Sequence, residues 1–397
     1  MTVLVIMPLG VQRGGGELML TELLRYGRGR GIDWHVLFFE DGHLTADVQS
    51  LGIPTHLVSP GRLRHPLRFI RTVRRIASIA RSISADLILS WSAKPHLYGS
   101  LAGWWTNIPT AWYQLGFPHG RHLSMIDRLA TALPALGVFT LSEISTRSQA
   151  ALWPKRPTHL VYPSVDLTRF DPDTLASPSR LREQLGLPMS GPLIGIIGRL
   201  QRWKGMHTLL QAMPQILSAY PNAHCVIVGG QHAMEPDYPE LLRGIVHDTQ
   251  LEAHVTFAGF QKNIPDWMQA MDVVVHASDH EPFGIVVIEA MALGKPVVAG
   301  ASGGPPEIVT EGKDGLLARF GDPNHLSAQI LRYLDDPAFA AKIGRQARNR
   351  AQFFSPHQYA ERFLTALTVM MKGDPPARTD GPPAPVHNSP SILGRPV

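Results

Sequence analysis

The sequence predicts an α/β protein built as two open parallel sheets, each covered by helices. Three observations predict it. The chain opens on an apolar run, Val3-Leu4-Val5-Ile6-Met7, followed by Gly14-Gly15-Gly16 and a helically spaced segment. Strand-like and helix-like segments then alternate, the pattern of a sheet buried on both faces. The alternation restarts at Leu193 after the polar, proline-bearing stretch Asp171–Pro192. At 397 residues the chain exceeds one ordinary core and suits two, at roughly 100–200 residues per domain.

The elements follow in order. Val3–Met7 is rich in β-branched residues and reads as the first strand, and Glu17–Tyr26 as the first helix. Trp34–Phe39 and Leu57-Val58 read as strands, and Leu67–Ile83 as an amphipathic helix. Asp86–Leu89, Thr110–Tyr113 and Val138–Leu141 continue the sheet, with a helix at Leu97–Trp105. In the second half, Leu193–Ile197, Cys225–Val228, His254–Phe257, Asp272–His276 and Pro296–Ala299 read as strands. Helices fall at Thr208–Tyr220, Tyr238–Thr249 and Val286–Leu293, then at about 324–335, 337–353 and 356–371. The division is 1–165 for the first domain and 166–355 for the second, with 166–190 as linker region. The proline-rich tail 373–397 has few large apolar residues and reads as disordered.

Hydrophobic residues make up 44%, enough for a sizeable core, while charged residues are only 17% against roughly 25% in an average domain. The single cysteine, Cys225, excludes an internal disulfide framework and a cysteine-based zinc site. No apolar run reaches the ~20 residues of a membrane span. Met1–Val11 lacks the basic start and small-residue cleavage site of a signal peptide, so the chain reads as cytoplasmic. The net charge is +5, and seven arginines crowd between Arg62 and Arg81 with no acid before Asp86.

In open α/β sheets ligands sit at the carboxyl ends of strands, so the loops there carry the candidates. The strongest block runs from Glu281 to Val298, with Glu281 in a loop and Glu289 early in a helix. A carboxylate accepts two hydrogen bonds from the vicinal hydroxyls of a sugar. Free backbone N–H groups from Phe283 to Val286 would face an anion. Upstream, Gly198-Arg199-Leu200 and Lys204-Gly205 follow a strand, and two cations there would neutralise a diphosphate without a metal. The glycines at 14–16 permit close backbone approach but match neither dinucleotide nor P-loop spacing.

Together these pieces resemble the retaining glycosyltransferases of family 4, which have the GT-B architecture: two Rossmann-like α/β domains facing each other across a cleft. The matching text is Gly14–Glu17, Gly198–Leu200 with Lys204-Gly205, Ala258-Gly259-Phe260, Glu281–Val298, Ser302–Gly304 and Glu307–Val309. The resemblance implies a nucleotide-diphosphate-sugar donor, a glycan or lipid-linked acceptor and no metal or other cofactor. It implies that Arg199 and Lys204 hold the diphosphate, and that Glu289 binds the ribose. Glu281 would take the transferred sugar with the backbone of Phe283, Gly284 and Ile285. Gly15 and Gly16 would approach from the first domain, Gly259 and Phe260 would border the donor, and helix 356–372 would cross back onto the first domain.

One departure matters. The family carries a histidine before a glycine on an N-domain strand, and here Leu115 stands before Gly116. His119, Gln114 and His96 are the candidate substitutes, with His119 preferred for its Pro-Gly loop. Asp171-Pro172-Asp173 has Asp-x-Asp spacing but sits in the interdomain segment, and His119 with His122 lacks a third ligand. The arginine-rich segment 62–83 suits an anionic membrane surface as well as a plain solvent-facing helix. No nucleic-acid reading module accompanies the charge. Two rivals remain: a non-catalytic nucleotide-sugar-binding protein, suggested by Leu115, and an NAD-dependent oxidoreductase using the glycine loop and Glu40-Asp41.

Overall fold

The computed structural model describes residues 1–11, 14–60, 65–116 and 125–376. His119, His122 and most of the tail lie outside them. Packing divides the chain into two compact units. Of the described residues, the first holds Met1–Arg169, His280–Ile288 and 351–376; the second holds Phe170–Asp279 and Glu289–Arg350.

In the first unit, seven strands form one parallel sheet: β1 (Thr2–Met7), β2 (Asp33–Phe38), β3 (Thr55–Leu57), β4 (Leu87–Ser90), β5 (Thr110–Gln114), β6 (Val138–Thr140) and β7 (Thr158–Leu160). Their order is β3-β2-β1-β4-β5-β6-β7, so the order reverses beside β1. Val3 to Ile6 are wholly buried, as a strand covered on both faces requires. Helix Gly15–Gly27 starts on the glycine loop, where Glu17 Oε2 accepts from the Gly14 N–H at 2.7 Å. Helix Pro356–Lys372 packs against it, with Phe363 stacked on Phe139 at 4.4 Å.

In the second unit, β8 (Leu193–Ile197), β9 (His224–Val228), β10 (Val255–Gly259), β11 (Val273–His276), β12 (Val297–Gly300) and β13 (Leu316–Ala318) form a six-stranded parallel sheet. The order is β10-β9-β8-β11-β12-β13, with the reversal between β8 and β11. Ile194, Ile196, Ile227, Val273, Val275 and Leu209 meet in its core.

Several elements differ from the sequence reading. Helices His43–Ser50, Met125–Ala132 and Glu143–Ala150 are eight residues each, too short for their apolar spacing to stand out. The polar stretch before Leu193 contains a helix, Pro178–Leu185, started by Pro178 and capped by Ser177, whose hydroxyl accepts from Arg180 N. It belongs to the second unit because Arg182 reaches across to the Ala270 carbonyl at 3.0 Å and to Asp272 at 2.6 Å. Among the described residues no helix is long and apolar enough to cross a membrane.

Candidate functional site

The carboxyl ends of β8, β9 and β10 form a platform of bare backbone. The Gly198 N–H donates to the Val228 carbonyl, and the Gly229 N–H to the Gly259 carbonyl, both at 2.9 Å. A Cβ on Gly229 would lie 1.8 Å from the Gly198 oxygen, so only glycine fits that crossing. Arg199 and Phe260 project from this edge as exposed side chains. Gly230 lies under Phe260, whose Cβ would be 3.2 Å from a Cβ there.

Lys204 ends the short 3-10 turn Arg202–Lys204, directly after Arg199-Leu200-Gln201. Its Nζ sits 3.9 Å from the Trp203 ring centroid, and its stem passes beside Gly198. The turn is fixed on two sides. The Asp279 N–H donates to the Trp203 carbonyl at 2.7 Å, and Gly205 (φ +74°) rests against the Ala277 carbonyl. On the other side Glu235 accepts from the Arg202 N–H at 2.8 Å, while the Arg202 guanidinium grips Asp237 at 2.6 Å. Bonds to Asp237 and Glu235 hold the guanidinium pKa up. His207 Nδ1 lies 2.8 Å from the Tyr238 hydroxyl, and burial holds that imidazole below its ordinary pKa.

Glu289 rides on helix Ile285–Ala292, which follows β11, and β11 is hydrogen-bonded to β8 along Val273–Val275. The β8 and β11 loops therefore leave neighbouring strands at the point where strand order reverses, where such sheets bind ligands. Ser302 donates to Asp279 Oδ1 at 3.0 Å, tying the β12 loop to the same edge.

The division between units falls inside the Glu281–Val298 block, at Ile288. Phe283 is buried in the first unit, its ring 6.0 Å from Tyr162 and 5.6 Å from Phe354. Its side chain is thus an anchor, and only its backbone is available to a ligand. The Ser142 hydroxyl donates to the Pro282 carbonyl at 2.7 Å. His280 (φ +45°) and Gly284 (φ +109°) turn the chain sharply on either side of half-buried Glu281. Gly15 lies against Ile285, and Gly16 against Leu115: a Cβ on either would fall 2.3 Å and 2.8 Å from those side chains. The Trp91 indole N–H donates to the Gly16 carbonyl at 2.8 Å.

Two candidate substitutes for the missing histidine are buried. Gln114 is buried, with its Nε2 donating to Asp127 and its Oε1 accepting from Gly116 N. His96 is wholly buried, stacked on Trp112 at 5.7 Å, and burial pulls its pKa down to about 3. It remains neutral inside the first unit. Asp171 and Asp173 both pair with Arg348, at 2.7 and 2.8 Å, so the Asp-x-Asp spacing serves an ion pair. Among the described residues no group of three or more His, Cys, Asp or Glu is placed to hold a metal.

Sequence reasoning missed Trp203, Glu235, Asp279 and the tryptophan pair Trp104-Trp105. The pair ends helix Ala93–Thr106, beside the arginine-rich helix Pro66–Ser82. Arg74 lies 5.2 Å over the Trp105 ring, and Arg81 donates to the Trp105 carbonyl at 2.9 Å. Tandem aromatics at a helix end were the available signal.

Two family models match in tandem: Glycosyltransferase Family 4 over residues 13–169 and Glycosyl transferases group 1 over residues 178–350. The D-inositol 3-phosphate glycosyltransferase of Corynebacterium urealyticum is 33% identical over 209 residues, 52% of this chain and 49% of that protein. A GDP-mannose-dependent alpha-(1-6)-phosphatidylinositol monomannoside mannosyltransferase of Mycolicibacterium smegmatis is 34% identical over 250 residues, 59% of this chain and 64% of that protein. The match to the first of these spans about half of that relative's length. Among solved structures, HepE of Anabaena in complex with UDP-glucose is 29% identical, with a TM-score of 0.81, over 92% of this chain and 99% of that one.

Proposed function

From the premise that this chain belongs to the family 4 glycosyltransferases and has the GT-B fold, we propose that it transfers a sugar, with retention of configuration, from a nucleotide-diphosphate sugar. The observation that carries this is the switch point of the second sheet. Arg199 and Lys204 leave β8 over a glycine platform, and the neighbouring strand β11 leads to the helix bearing Glu289. Arg199 and Lys204 stabilise the charge that builds on the leaving diphosphate, so no metal is required. Glu289 accepts from the ribose hydroxyls, and Gly259 with Phe260 borders the nucleotide. Glu281, with the backbone of Phe283 to Ile285, holds the transferred sugar. Gly15 and Gly16 admit the donor closely, and His119 does the positioning that Leu115 does not.

The acceptor we propose is a glycan or lipid-linked saccharide in glycoconjugate synthesis, met at the cytoplasmic face of an anionic membrane. The mannosyltransferase relative, whose name specifies a phosphatidylinositol mannoside, supports the lipid-linked choice. So does one surface of the first unit. Helix Pro66–Ser82 buries Val73, Ile76, Ala77 and Ala80, and exposes Leu67 and Ile70 among Arg68, Arg71, Arg74 and Arg75. Trp104 (76% exposed) stands on the neighbouring helix. Cations with exposed apolar and indole groups suit the headgroup layer of a bilayer.

The test is to incubate the protein with UDP- and GDP-sugars and extracted lipid acceptors, measuring nucleoside diphosphate release and product anomeric configuration by NMR. Release with a product of the donor's configuration is expected. An inverted product overturns the retaining assignment. Donors that bind without release or transfer favour the non-catalytic nucleotide-sugar-binding reading that Leu115 suggests.

A further inference from the structure

The second unit has a cavity at the opposite edge of its sheet from Arg199. It lies at the amino ends of β8, β11 and β12, where Pro192, Asp272 and Pro296 enter the strands, with a volume of about 540 Å³. Strand β8 has five residues, so this edge is on the order of 15 Å from the glycine platform. The volume falls in the range of small-molecule pockets, roughly 300–1,000 Å³.

Its walls have a definite chemistry. Lys295 lines it, with Nζ donating to the Gln269 carbonyl at 2.6 Å and the Met271 carbonyl at 3.0 Å. An ammonium has three protons, so one remains for a further acceptor. Burial pulls this amine down to about 8, against the pull of Asp272. Arg182 is the second cation and Asp272 the one carboxylate, so cations outnumber anions along the wall. Asp272 accepts through Oδ2 from Arg182 at 2.6 Å and from the Leu193 N–H at 2.7 Å. Gln269 lines the same wall; it is 7% exposed, and its Oε1 has no partner among the described residues. Leu334 and Ala340, both half-buried, supply apolar surface.

We propose that this cavity is a binding site for a small hydroxylated anion, a sugar phosphate or a sugar acid. The anionic group would accept the third Lys295 proton, and a hydroxyl would donate to the exposed Asp272 carboxylate through Oδ1, the oxygen that Arg182 and Leu193 do not use. The ring or chain would lie against Leu334 and Ala340. Such a site is also joined along the chain to the helix that carries Glu289. The cavity wall Leu293–Lys295 directly follows the helix that carries Glu289: Leu293 N donates to the Glu289 carbonyl, and Lys295 N to that of Ala290. That coupling rests on the role proposed for Glu289; the binding itself does not.

The experiment is calorimetric titration of the full chain, without nucleotide, with glucose 6-phosphate, gluconate, glucose and inorganic phosphate. Millimolar or tighter binding of glucose 6-phosphate or gluconate, and at least tenfold weaker binding of glucose, is expected. Ala340→Phe, which fills the cavity, and Lys295→Met should each weaken that binding at least tenfold. Arg199→Ala should leave it unchanged. If Lys295→Met does not fold, Ala340→Phe with a wild-type circular dichroism spectrum decides. Absence of binding by both anions overturns the proposal, as does undiminished binding by Ala340→Phe. Binding lost in Arg199→Ala instead assigns the anion to the donor site, which also overturns it. UDP and GDP titrations in parallel separate this outcome from failure of the donor reading, because nucleotide binding does not require the cavity.

Discussion

Glu22 is the carboxylate whose ionisation should govern the stability of the first unit. It lies on helix Gly15–Gly27 with its side chain only 3% exposed, and its Oε2 has no hydrogen-bond partner among the described residues. Arg25, half exposed, is 3.5 Å away, and its attraction is opposed by the Asp166 carboxylate. Burial dominates and raises the pKa from 4.5 to about 7. The folded protein therefore binds more protons than the unfolded chain between these two values. Stability from this group is intact below pH 4.5 and declines as pH rises through 7. Integrated from pH 5 to pH 8.5, the loss is about 2.5 kcal/mol. Buried His96, held near 3, gives the opposite slope below pH 6.5, so only a difference between variants isolates Glu22. Glu22→Gln keeps the shape and removes the proton. Urea titrations at pH 5, 7 and 8.5, read by hydrogen exchange of β1, β4 and β5 peptides, should show the wild type losing about 2.5 kcal/mol more than the variant. Peptides from β8 and β9 serve as the control, since two units need not unfold together. Parallel pH profiles for the two proteins would refute the argument.

Other expectations concern the site. Arg199→Ala or Lys204→Ala should each weaken nucleoside diphosphate binding about tenfold or more, from the loss of a charge-assisted contact worth roughly 1.5–3 kcal/mol, with or without chelator; calorimetry checks it. Gly205→Ala forces a Cβ to 2.1 Å from the Ala277 oxygen at φ +74°, so it should destabilise the second unit by about 1–3 kcal/mol or more and weaken nucleotide binding with it; denaturation and titration of the same sample test both. Glu289→Ala should weaken free nucleotide, while Glu281→Ala should mainly lower turnover of the intact donor; the reverse pattern in binding and steady-state assays would exchange their roles. His119→Ala should cost more turnover than His96→Ala, whose effect should fall on stability; equal, undiminished turnover would remove the compensation for Leu115. Converting Arg68, Arg71, Arg74 and Arg75 to Gln should reduce flotation with anionic vesicles a hundredfold or more, at about 1 kcal/mol per cation, and leave neutral vesicles unaffected. Trp104→Ser with Trp105→Ser should weaken binding to both, and equal binding by all variants would make this an ordinary solvent face.

The sequence by itself determined the parallel α/β class, the restart at Leu193 and most strands to within a residue or two, because strands buried on both faces must be continuous apolar runs. It also determined where Arg199, Lys204, Glu281 and Glu289 fall, since a strand end followed by glycine or a helix start is a local pattern. What it could not carry were facts made by residues distant along the chain. The polar stretch before Leu193 becomes a helix because Arg182 finds Asp272, 90 residues away. Gln114 and His96, equal candidates on paper, are removed by burial against Asp127 and Trp112, which no periodicity reports. The Lys204 turn is set by Glu235 and Asp279, and the Glu281 block is divided by Phe283 packing on Tyr162 and Phe354. Local pattern dictates backbone class because it depends on neighbours in the chain. Which side chain faces a ligand depends on neighbours in space, and only the folded packing supplies those.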